Sequence, residues 1–62
     1  MKIGDRVQIL VKNPVGIESK NYKGLIGKIV SMSDIFCQIE IRFFDRREQW
    51  YFRRNDLEVL SK

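Results

Sequence analysis

Residues 43–54 read FFDRREQWYFRR, with four arginines and five aromatic rings in twelve positions. Arginine forks grip carboxylates and phosphates, and aromatic faces stack on bases or fill interface pockets. The stretch therefore carries two candidate chemistries, docking of an acidic protein and binding of nucleic acid. A third reading is an ordinary hairpin, with rings in the core and arginines in water. Other chemistry is missing. The chain has no histidine, so a Cys/His zinc site and histidine acid–base catalysis are excluded. Asp45 and Glu48 have Arg46 and Arg47 between them and are expected as a salt-bridged, solvated loop, not a catalytic carboxylate pair. Cys37 alternates with Ile39 and reads as a small buried hydrophobe. Residues 24–30, GLIGKIV, lack the Gly-Lys-Ser/Thr ending of a phosphate loop. The expectation is a non-enzymatic protein without cofactor, metal or small-molecule substrate.

The elements that hold these residues follow a period of two. Val7, Ile9 and Val11 alternate with Gln8, Leu10 and Lys12. Cys37, Ile39, Ile41 and Phe43 alternate with Gln38, Glu40, Arg42 and Phe44. Such alternation marks half-buried strands. Strands are expected near 5–11, 25–33, 36–44, 48–54 and 57–60. Residues 12–24, KNPVGIESKNYKG, form one long connection with room for a single turn over 17–23. MSDI at 32–35 is a tight turn, and 53–56 a short 3₁₀ turn in which the Asp56 carboxylate serves as a cap. Gly24 and Gly27 stand where a strand starts and bends; glycine supplies φ > 0 or close backbone approach there. The expected fold class is all-β, a small five-stranded barrel in a single domain over residues 1–62. The expected core is Val7, Ile9, Val11, Ile29, Cys37, Ile39, Ile41, Phe43, Trp50, Phe52 and Leu57. The inward or outward direction of Leu25, Ile26 and Val30 is not fixed, because the strand bends near Gly27.

Size and charge set the remaining bounds. A chain of 62 residues buries only about 60% of its unfolded surface. One cysteine allows no internal disulfide, so packing or a partner must supply stability. A net charge of +4 favours acidic partners. No apolar run approaches about 18 residues, so no membrane-spanning helix is expected. The opening MKIGDRVQIL lacks a signal-peptide core and the unpaired cysteine fits a reducing compartment. The expectation is a cytoplasmic protein.

Pairing the strands of the opening stretch through a loop Asp45–Glu48 sets Phe43 against Trp50, Arg42 against Tyr51, Ile41 against Phe52 and Glu40 against Arg53. One face is then apolar, and the other carries cation–π and opposite-charge pairs. A one-residue slip mixes the faces, which burial forbids. Phe44 and Tyr51 remain outside, flanked by Arg42, Arg46, Arg47, Arg53 and Arg54.

IGDRVQIL (3–10), GLIGKIV (24–30), IEIRF (39–43) and WYFRRNDLEVL (50–60), in that order, resemble the SH3-like small barrels of the KOW-type and photosynthetic-subunit branch. Within it the chain resembles small cyanobacterial and plastid proteins such as subunit IV of photosystem I and the ferredoxin-docking S subunit of the photosynthetic NAD(P)H dehydrogenase-like complex. The resemblance implies a non-catalytic docking module or accessory subunit, peripheral to a membrane complex, that offers Arg42, Arg46, Arg47, Arg53 and Arg54 to an acidic partner such as ferredoxin. On this reading Tyr22 of the long loop joins Phe44 and Tyr51 in an apolar centre ringed by basic side chains. The alternative is a KOW-like module for RNA or single-stranded DNA. It is disfavoured by Glu18, Asp34, Glu40, Asp45, Glu48 and Glu58, which interrupt any basic stripe.

Overall fold

Alternating sequence becomes five antiparallel strands in a computed structural model that describes residues 1–61. They are β1 (Arg6–Ile9), β2 (Ile26–Met32), β3 (Phe36–Arg42), β4 (Arg47–Arg53) and β5 (Leu57–Ser61), with a 3₁₀ turn over Arg54–Asp56. They form one sheet in the order β4-β3-β2-β1-β5. The expected all-β plan is therefore observed, with its long loop after the first strand and its 3₁₀ turn before the last. Among the described residues the ladder does not close, and β4 and β5 are its two edges. The 12–24 connection has turns but no helical turn over 17–23. No helix among the described residues is long and apolar enough to cross a membrane.

The inward positions of all five strands meet in one core: Val7, Ile9, Ile29, Cys37, Ile39, Ile41, Phe52 and Leu57, with Tyr22 added from the long loop. Val11, Phe43 and Trp50, expected inside, are half-buried and pack against that cluster. Each fully buried aliphatic or aromatic side chain stabilises by roughly 1.5–3 kcal/mol, the main stabilising term open to so short a chain. Cys37 lies among these residues, and burial pushes its thiol pKa up.

Two glycines shape β2. Gly24 has φ +89° and open space at its Cβ position, so the backbone angle alone demands glycine. Gly27 is the opposite case: a Cβ there would collide with Ile39 Cγ2 and lie 2.8 Å from the Glu40 carbonyl oxygen. Beyond Gly27 the strand is irregular at Val30. Pairing passes from Ile29↔Ile39 to Ser31↔Gln38, and the extra residue makes a bulge that kinks the strand. Leu25 is half-buried, Ile26 exposed and Val30 half-buried at the bulge.

The β3–β4 hairpin corrects the expected register. Ile39 faces Trp50, Cys37 faces Phe52, Gln38 faces Tyr51 and Arg42 faces Arg47. The turn is Phe43–Arg46, closed by a Phe43 N–H bond to the Arg46 carbonyl at 2.8 Å, and not Asp45–Glu48. Every partner is displaced by four residues from the expected pairing, because the turn lies two residues earlier. An even-numbered shift keeps every side chain on its face, so facial alternation could not detect it.

Candidate docking surface

The corrected register places Glu48 on the inward side of β4, opposite Ile41. It is half-buried, not part of a solvated loop. Its Oε1 accepts from the Tyr22 hydroxyl and from Trp50 Nε1 at 2.9 Å, and its Oε2 accepts from Arg46 Nε at 2.7 Å. These donors, the Tyr22 hydroxyl foremost and then Arg46 and Trp50, lower the Glu48 carboxyl pKa to about 2. Burial, and then the Glu48 bond, push the Tyr22 phenol up. The hub fastens the long loop to the hairpin through Tyr22, whose ring lies 6.3 Å from those of Phe43 and Trp50.

Tyr22 is therefore corrected from an exposed contact residue to a core residue, 6% exposed. Its hydroxyl can be buried because a carboxylate receives it. Arg46 is also engaged within the chain. Besides Glu48 it bonds Asp45 Oδ1 at 3.1 Å, and its guanidinium lies 4.4 Å from the Phe43 ring centre. Asp56 makes no side-chain cap at the 3₁₀ turn. Asp5, by contrast, closes the first turn by accepting from the Lys2 N–H at 3.0 Å.

The other sequence-derived candidates divide between the two ends of β4. Arg42 and Arg47 face each other beside the hairpin turn, with Phe44 fully exposed at its tip. Arg53 and Arg54 stand at the far end, where they line a recess with Asp34, Ile35 and Asn55. β4 has seven residues, and at about 3.3 Å per residue its ends lie about 20 Å apart. Tyr51, half exposed on the outer side of β4, lies between them opposite Gln38. One continuous arginine–aromatic patch is not formed.

Sheet order assembles a different surface. Arg6 on β1 pairs with Lys28 on β2, and Lys28 pairs with Glu40 on β3. One row along, Ile26 and Arg42 join them around a shallow depression of about 280 Å³. Arg47 completes the group: its Nη1 lies 3.6 Å from Glu40 Oε1, and Arg42 Nε lies 3.9 Å from the same oxygen. Three cations thus line the depression beside an exposed isoleucine, and two arginines share the Glu40 carboxylate. Arg6, Lys28 and Ile26 were not among the sequence candidates. Alternation about Val7 and Ile29 marks them as outward, but only the β3-β2-β1 neighbourhood brings them beside Arg42.

A second, larger groove of about 710 Å³ runs between the long loop, from Val11 to Ser19, and Arg53 with Asp56. Its walls mix Lys12, Glu18, Arg53 and Asp56 with apolar residues, so it carries no single charge. Among the described residues no three His, Cys, Asp or Glu side chains converge as metal ligands. Comparison with known proteins finds no matching family model, no matching curated protein and no matching solved structure.

Proposed function

We propose that this protein is a non-catalytic docking module, a small accessory subunit whose outer sheet face binds an acidic protein. The observation that carries the reading is the depression lined by Arg6, Lys28 and Arg42 around exposed Ile26, with Glu40 as its one carboxylate and Arg47 reaching the same Glu40 oxygen from β4; Glu58, opposite Gln8, marks the β5 side of the face. Cations beside an aliphatic centre, with Phe44 projecting at the adjoining turn, offer an acidic protein both steering charge and apolar contact. Single-stranded nucleic acid asks for rings interleaved with cations. Here the depression is lined by an isoleucine, and Phe44 and Tyr51 stand outside it. A ferredoxin-like protein is the partner class that the sequence resemblance implies, met in the cytosol or at the edge of a membrane complex.

The test is a nuclear magnetic resonance titration of the labelled chain with two probes, a plant-type ferredoxin and a single-stranded RNA of about 12 nucleotides. Ferredoxin is expected to shift the amides of Arg6, Ile26, Lys28, Arg42 and Arg47, with an affinity that falls as salt rises. Undisturbed face amides would remove the docking reading. Tighter binding of RNA than of ferredoxin at this face would replace it with the nucleic-acid reading.

A further inference from the structure

Glu40 occupies an odd place in the basic face. Arg42 and Arg47 are a directly opposed like-charge pair, a destabilising arrangement across strands. Glu40 sits between them with both guanidinium groups turned to one oxygen at 3.9 and 3.6 Å. These distances exceed hydrogen-bond length, so neither arginine fork is saturated. The carboxylate side chain is only 16% exposed while the two arginines are 77% and 68% exposed. Lys28 stands across from Glu40 on the other side. A ligand that covers the four cations must therefore cover Glu40 as well.

We propose that Glu40 is the specificity-determining residue of this face, a fixed negative charge that rejects polyphosphate chains and admits folded acidic proteins. The inference rests on the docking reading and names what selects the partner. A nucleic-acid strand carries a phosphate at every nucleotide and cannot keep its charge away from the centre of so small a patch. A folded protein can place carboxylates over Arg6, Lys28, Arg42 and Arg47 and set a lysine, a hydroxyl or a backbone N–H against Glu40. Discrimination then comes from a built-in repulsion as much as from attraction.

The experiment compares wild type, Glu40→Gln and Glu18→Gln. Both variants change net charge equally, but Glu18 belongs to the long loop, outside the basic face. Fluorescent single-stranded RNA of about 20 nucleotides is titrated across a salt series, and ferredoxin is titrated in parallel. Amide spectra confirm that each variant is folded. Glu40→Gln is expected to gain about one phosphate contact, steepening the log–log salt slope by about 0.7 and raising RNA affinity about eightfold at about 0.05 M salt. Glu18→Gln is expected to raise it less than about twofold, since only distant, screened charge has changed. Equal gains in the two variants, or no gain in Glu40→Gln, would overturn the assignment. Failure of ferredoxin to bind wild type would overturn the docking reading instead, and that result is read from a separate titration.

Discussion

Glu48 is an acid on the inward side of a strand, and that position dictates a response to pH. Its carboxyl pKa is about 2, against 4.5 unperturbed. A depressed folded pKa means stability that is complete above the unfolded value and lost as pH falls through the folded one. The difference in thermal midpoint between wild type and Glu48→Gln should therefore be largest near neutrality and shrink between about pH 4.5 and about pH 2. A constant difference across that window would show that the carboxylate charge is not what the three donors hold. Tyr22 tests the same hub from the other side. Tyr22→Phe keeps the buried ring and loses only the bond to Glu48, whereas Tyr22→Ala removes the ring from the core and should cost about 3 kcal/mol or more. In urea titrations the two should separate clearly, with Tyr22→Ala near the limit of what a 62-residue chain tolerates. Similar losses for both would place the value of Tyr22 in its hydroxyl.

At the scale of elements, β2 depends on two glycines for unlike reasons, and substitution can tell them apart. Gly24 needs a positive φ in open space; Gly27 needs the absence of a Cβ against β3. Gly24→Ala should cost about 1–2 kcal/mol, and Gly24→Asn should recover part of it, because asparagine tolerates positive φ. Gly27→Ala should cost about 1–3 kcal/mol from overpacking, and Gly27→Asn should be worse than alanine. Chemical denaturation of the four variants checks the ordering; an asparagine benefit at Gly27 would sink the close-approach argument. Both glycines were legible as strand punctuation. The hairpin register was not. Period-two alternation fixes which face Trp50 and Phe52 occupy but is blind to an even-numbered shift, and pairing through Asp45–Glu48 also separates an apolar face from a charged one. The chain turns through Phe43–Arg46 instead, since that leaves Glu48 inside to receive Tyr22 and Trp50. Tyr22 itself was illegible as a core residue. It lies in a long loop with no period, and only the hub shows why its ring is buried.

For the whole molecule the question is whether net charge or its arrangement selects a partner. The twelve basic residues against eight acidic ones were plain in the sequence. Which cations share a face depends on the strand order β4-β3-β2-β1-β5, a non-local fact that no short stretch records. Arg6 and Lys28 sit in the face with Arg42 and Arg47, while Arg53 and Arg54 lie at the opposite end of β4, about 20 Å from Arg47 at about 3.3 Å per residue. That separation is two or more Debye lengths at about 0.15 M salt, where the length is about 8 Å, and less than one at about 0.01 M. Two charge-equivalent double variants then give different results. Arg6→Glu with Lys28→Glu should slow association with ferredoxin at both salt concentrations and raise Kd at least tenfold at the higher one. Arg53→Glu with Arg54→Glu should slow association at about 0.01 M, where the whole field steers the encounter, and leave Kd within about twofold at about 0.15 M. Stopped-flow association rates with equilibrium titration at both salts measure the split. Equal losses at the higher salt would mean that the arginines of both strand ends contact the partner. The binding surface would then have to wrap the length of β4, with Tyr51 inside it.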